Sequence, residues 1–399
     1  MSQSLDEQAL RDFLCHRGNP LALARRAARE APDQVGPLML EASLLLCSRD
    51  VRDFREAAMV HARMLALKQK PGSREAAHVA ALAAGIAGDY ERACGHYDQL
   101  LAENPHDLLA LAVSQVFDYY LGYPQSMLAR TTRVLGTWAA DRPGYHAVLS
   151  MHAFALEECG DYARAEDLAR EALAIEPLDL RAHHAVAHVM EMQGRFRDGV
   201  RWMGERSGCW IGAGPASTHL WWHLALYHIE LGQHRHALAI HDRRMQGGSL
   251  SELIDASALL WRLHLQGLEP GERFAALASR WAVYADDAHC AFNDVHAMMA
   301  FAAGGRWDCA QRLIAAQERR IAGPTGTNRD MTQLVGLPAC RALAAFGRGD
   351  FDSAERLLRA LPPVAHRIGG SHAQRDVLHM TRYCASLLRR KSQPLQRAA

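Results

Sequence analysis

With 399 residues, 49% of them hydrophobic, the chain is long enough for two or three globular domains or for one elongated repeat protein, and nothing in it reads as intrinsically disordered. Lys+Arg 45 against Asp+Glu 44 leave a net charge of +1, which excludes a general attraction to nucleic acid or to an anionic membrane. Nine scattered cysteines with no CxxC pair argue against a disulfide scaffold and against a cysteine-rich zinc finger. The start MSQSLDEQAL has no basic stretch leading into an apolar one, and no run of about 18 apolar residues follows, so a cytoplasmic location is expected.

Residues 1–70 read as an N-terminal helical cap, to which REAAMVHARML contributes a helix. From residue 71 a breaker recurs, followed each time by an amphipathic run: AGDYERACGHYDQLLAENP, CGDYARAEDLAREALAIEP, QGRFRDGVRWM, LGQHRHALAIHD, GGRWDCAQRLIAAQ and RGDFDSAERLLRALPP. Their glycines are Gly88, Gly160, Gly194, Gly232, Gly305 and Gly349; with Gly122 and Gly267 in the wide gaps, the separations run from 34 to 44 residues. That period is the signature of a helix-turn-helix repeat. In CGDYARAEDLAREALAIEP the residues Ala165, Leu168, Ala169 and Leu173 recur at helical spacing. No sustained alternation or Rossmann glycine pattern predicts strands, so the expected fold is an all-α, tetratricopeptide-like helical-hairpin solenoid, continuous over 71–388. GPTGTNRD at 323–330 reads as a loop, and residues 389–399 as a frayed basic tail.

The polar residues concentrate before the turn glycines, on the first helix of each hairpin. There lie His152, His184 with His188, His219 with His223, and Asp294 with His296. A spacing of four puts both members of each histidine pair on one helix face, and stacking of hairpins can bring pairs together. Such a group suits a transition metal, or acid and base groups around an organic substrate. HxxxH is not HExxH, however, and core packing is the competing account. Tyr227 continues the line of STHLWWHLALYHIE, in which Trp221 and Trp222 read as anchors between repeats with at least one facing the core.

Near the C-terminus, RDMTQLVGLPACRAL carries Arg329 and Asp330, and RIGGSHAQRDVLH carries Gln374, Arg375 and Asp376 at a helix start after a glycine pair. Backbone NH groups there, with Arg375, can hold a carboxylate or phosphate, although a plain salt bridge from Arg375 serves as well. Ser371, His372 and Asp376 lack a GxSxG elbow and do not predict a serine hydrolase. Cys209 and Cys340 read as structural cysteines before reactive ones.

The segments AEDLAREALAIEP, RAHHAVAHVMEM, THLWWHLALYHIELG, FNDVHAMMA, RDMTQLVGLPACRAL and IGGSHAQRDVL together resemble the tetratricopeptide repeat protein 38 family over most of residues 70–388. The resemblance implies a divergent tetratricopeptide-like helical fold and brings no assigned reaction. It draws attention to His184, His188, Glu191, His219, Trp222, His223, Glu230, Asn293, Asp294, His296, Arg329, Asp330, Gln374, Arg375 and Asp376.

Two classes of function follow. In the enzyme reading, a pocket encloses a small polar or acidic organic molecule. His188 and His223 are the general acid and base and Asp294 orients a histidine. His184, His219 and His296 hold substrate or a transition metal, and Gln374 with Arg375 positions an anionic group. His152, Trp222, Tyr227, Arg329, Asp330 and Asp376 complete the expected lining. In the other reading the repeats are a noncatalytic scaffold for a protein or peptide, or a small-molecule sensor. Homo-oligomerisation is compatible with either.

Overall fold

A computed structural model of the chain describes residues 4–68, 71–211 and 214–396. Among these the secondary structure is helical throughout, arranged in successive hairpin-like pairs, as a repeat solenoid in general requires. The chain divides into two compact units, Met1–Tyr227 and His228–Ala399.

The first unit contains α1 (Leu5–Leu14), α2 (Pro20–Glu30), α3 (Val35–Leu46), α4 (Val51–Leu65), α5 (Ser73–Ile86), α6 (Tyr90–Glu103), α7 (Leu108–Leu121), α8 (Pro124–Leu135), α9 (Tyr145–Glu158), α10 (Tyr162–Ile175), α11 (Leu180–Met192) and α12 (Phe196–Arg206). It ends within α13 (Pro215–Glu230). Each helix packs on the next, and the odd-numbered helices also pack on one another, α3 on α5 and α9 on both α7 and α11.

The turns explain why the hairpins form where they do. All eight glycines of the repeat pattern have positive φ, from 67° to 86°, the left-handed region in which a side chain is strained. Where aspartate follows, it caps the next helix: Asp89, Asp161 and Asp350 accept a hydrogen bond from the backbone NH of Arg92, Arg164 and Ser353. One Gly-Asp dipeptide thus stops one helix and starts another. On α10 the buried stripe is Ala165, Ala169 and Ala172, with Leu168 and Leu173 packed at its margins. The small residues let the paired helices approach closely.

A long-range contact shapes the first unit further. The carbonyls of Leu14 and Cys15, at the end of α1, accept from Arg181 Nε at 3.3 Å and from the backbone NH of Leu180 at 3.0 Å. The N-terminal segment therefore sits on the start of α11, a placement that hairpin periodicity does not reveal.

The second unit holds α14 (His234–Arg244), α15 (Leu250–Leu265), α16 (Arg273–Trp281), α17 (Ala291–Ala303), α18 (Trp307–Ala322), α19 (Thr327–Met331), α20 (Leu337–Gly347), α21 (Phe351–Arg359) and α22 (His372–Gln396). A π-helical turn at Thr332–Gly336 joins α19 to α20. The segment expected to be a loop at 323–330 is only partly one, because α19 begins at Thr327. Nor is the start of the basic tail frayed: α22 continues through it, and Arg389 lies 3.3 Å from Asp352 and 2.9 Å from Glu355. Residues 397–399 lie outside the described residues. No described helix is long and apolar enough to cross a membrane.

Gly199 on α12 is where the fold leaves least room. A Cβ there would stand 2.5 Å from the ring of Tyr227, which is fully buried and donates from its hydroxyl to the Ala187 carbonyl at 2.6 Å. Gly199→Ala is expected to lower stability by about 1–3 kcal/mol through overpacking, read as a lower urea midpoint with unchanged m-value.

Candidate functional site

Histidines at positions i and i+4 on one helix are held a single turn apart. On α11 this places His188 Nε2 2.9 Å from His184 Nε2. On α13 the rings of His219 and His223 lie 4.9 Å apart between centroids. Stacking of α11 against α13 joins the pairs: His184 is 4.9 Å from His219 and 5.1 Å from His223, and His188 is 4.5 Å from His223, ring to ring. Four imidazoles thus offer one ligand atom each, all within 4.8 Å of one another.

The cluster has a closed side and a more open one. His188 and His223 are fully buried, whereas His184 and His219 are partly exposed. Phe154 of α9 stacks on His184 at 5.3 Å and meets His188 edge-on at 5.4 Å, and Trp222 stacks on His219 at 5.2 Å. These apolar walls exclude water and fix the ring planes. Burial and the neighbouring His188, His219, His223 and His16 hold His184 well below the usual histidine pKa, so it is neutral in the folded protein. Neutral imidazole is the form that binds a metal or accepts a proton.

A carboxylate orients one of the buried rings. Glu191, one turn beyond His188 on α11, reaches across to α13 and accepts from His223 Nδ1 at 2.7 Å. That bond leaves Nε2 as the basic nitrogen of His223 and raises its basicity, as carboxylates behind metal-bound histidines do. The HxxxHxxE pattern of α11 therefore serves two helices.

The other expected residues are placed as follows. His152, on α9, is buried and bonded through Nδ1 to Thr131 Oγ1 at 2.9 Å, and lies outside the four-imidazole set. Tyr227 uses its hydroxyl on the α11 backbone, and Trp222 is fully buried as one of the walls. Glu230, at the end of α13, is exposed.

In the second unit Asp294 and His296 are buried on α17. Asp294 accepts from Gln317 Nε2 at 2.9 Å, and the same nitrogen lies 3.5 Å from Cys340 Sγ. His296 donates from Nδ1 to the Phe292 carbonyl at 2.7 Å. Arg329 bonds Asp330 at 2.9 Å and the Ile321 carbonyl at 3.0 Å. The NH of Ser371 donates to Gln374 Oε1 at 3.1 Å, Arg375 donates to the Gly370 carbonyl, and Asp376 pairs with Arg262 of α15. Burial raises the Cys340 thiol well above its ordinary pKa, which makes it a poor nucleophile.

Three residues beside the imidazoles escaped sequence reasoning. Glu157 and Glu158, consecutive and buried in the last turn of α9, form a second candidate ligand group with His188. The signal was present in LEECG, directly before a turn glycine. His16 was not legible: it follows α1 with φ 53°, and only the docking of α1 on α11 brings it into electrostatic range of His184 and His219, on the open side of the cluster. No protein-family model matches the chain.

Asp294 supplies a pH test independent of the histidines. Burial raises its pKa to about 7 against 3.8 unfolded, so between these values the folded state holds the extra proton. Its contribution is present below pH 3.8 and is lost as pH rises toward 7. Comparing urea unfolding of Asp294→Asn with the parent protein at several pH values should show the variant gaining relative stability up to about pH 7 and levelling off above it.

Proposed function

We propose that the first unit carries a transition-metal site built from His184, His188, His219 and His223, which supports acid/base or metal-assisted chemistry on a small polar or acidic organic molecule. The observation that carries this reading is the convergence of four imidazoles from two helices within 4.8 Å. Nitrogens bound to tetrahedral zinc at about 2.0 Å are separated by about 3.3 Å, a spacing within small side-chain adjustments of those present. His184 is neutral, the form in which an imidazole can take a cation, and the Glu191 carboxylate behind His223 makes its other nitrogen a stronger ligand.

Within this site His188 and His223 would be the fully buried ligands, and His184 and His219 the partly exposed ones. A metal there would supply Lewis acidity to a bound carbonyl or water. The positive-φ turn glycines and their spacing favour reading the hairpins as tetratricopeptide-like repeats, while the resemblance to the tetratricopeptide repeat protein 38 family rests on its motif segments alone.

The test is metal content and its dependence on the ligands. The purified protein, loaded with Zn²⁺ and desalted, should retain at least one equivalent; His184→Ala and His219→Ala should each retain one equivalent fewer than the parent while keeping its circular dichroism. Glu191→Gln should keep the ligands but weaken Zn²⁺ about 10–100-fold by competition against a chelating dye. Hydrolysis of a panel of small esters and amides by loaded but not stripped protein would support the enzymatic part. Retention of less than a tenth of an equivalent would sink the metal reading.

A further inference from the structure

The ring of His188 faces two ligand groups at once. Its Nε2 lies 2.9 Å from His184 Nε2, among the four imidazoles, while its Nδ1 lies 3.5 Å from Glu157 Oε2. The comparison with His223 is informative, because there the imidazole and carboxylate are 2.7 Å apart, a charge-assisted hydrogen bond. At 3.5 Å the His188 and Glu157 atoms stand instead at about the separation of two ligands sharing one cation. Glu158 completes a set of three, its ligand atom within 4.8 Å of the other two, and all three residues are buried.

The setting favours a cation. Glu157 and Glu158 occupy the last turn of α9, where the helix dipole already presents its negative end. Two adjacent carboxylates are buried there beside His188, all three offering ligand atoms. Carboxylate oxygens and an imidazole are suitable ligands for zinc and similar ions.

We propose that Glu157, Glu158 and His188 Nδ1 form a second metal position, joined to the four-imidazole position through the His188 ring, so that the first unit holds a two-metal centre. This rests on the four-imidazole reading, since His188 belongs to both sets. With an ion at each nitrogen, His188 bridges as imidazolate: the second ion replaces the one proton left on the ring, and that proton passes to solvent.

The experiment counts zinc. Full-length protein loaded with excess Zn²⁺ and desalted is assayed by plasma emission spectrometry, beside Glu157→Gln, Glu158→Gln and the double variant, with circular dichroism verifying each fold. Two equivalents in the parent and one in the carboxylate variants are expected; the single variants keep the count readable if the double variant does not fold. Copper supplies a second readout, since Cu²⁺ at both positions should give a magnetically coupled resonance spectrum and the variants an uncoupled one. One equivalent in parent and variants alike would overturn the second position while leaving the four-imidazole site standing. Two equivalents in the variants would overturn the assignment to Glu157 and Glu158, and none in the parent would overturn both.

Discussion

The stacking of α11 on α13 is the contact on which the candidate site depends. Each helix by itself supplies a histidine pair one turn apart, at a spacing that any straight helix would give. Two such pairs become a four-imidazole cluster only because neighbouring first helices lie side by side in register. That register follows from the turns: a left-handed glycine ends α11, and α12 packs back through Gly199, Trp202 and Met203. Tyr227 fixes the alignment from within, bonding the α11 backbone from α13 and filling the space that Gly199 leaves open.

Burial then gives the cluster its chemistry. A histidine in water is protonated over part of the physiological range, whereas His184, crowded by other imidazoles and apolar walls, is held neutral. Glu191 acts in the other direction on His223, making its remaining nitrogen a better donor to a cation. The carboxylates at the end of α9 are buried on the other side of His188, with Glu157 3.5 Å from its Nδ1.

The second unit is organised around polar groups that are largely engaged with the protein's own backbone and side chains. Asp294 and Cys340 share the Gln317 amide, His296 is bonded to its own helix, and Gln374 and Arg375 stabilise the turn that opens α22. Asp376 anchors α22 to α15 through Arg262, beside the Trp261 indole that donates to Thr381 at 2.9 Å. The Ser371–Gln374 and Arg375–Gly370 bonds hold the glycine-rich turn that opens α22.

Much of this was legible in the sequence because it is local. Glycine spacing, Gly-Asp dipeptides and helical periodicity located the hairpins, assigned the histidines to first helices and paired His184 with His188 and His219 with His223. What the sequence could not supply were distances across repeats, which depend on how helices far apart in the chain pack. Glu191 lies on the same helix as His188, yet its partner is His223 on the next first helix. Glu157 and Glu158 would pass for ordinary charges at a helix end, and only burial against α11 sets them beside His188. His16 is the extreme case: it reaches the cluster because Arg181 and Leu180 bind carbonyls about 165 residues earlier in the chain, a closure that no periodic signal encodes. Sequence alone determined which helices carry the histidines; tertiary packing decided which of their side chains meet, because burial and closure are properties of the assembled repeats and not of any one of them.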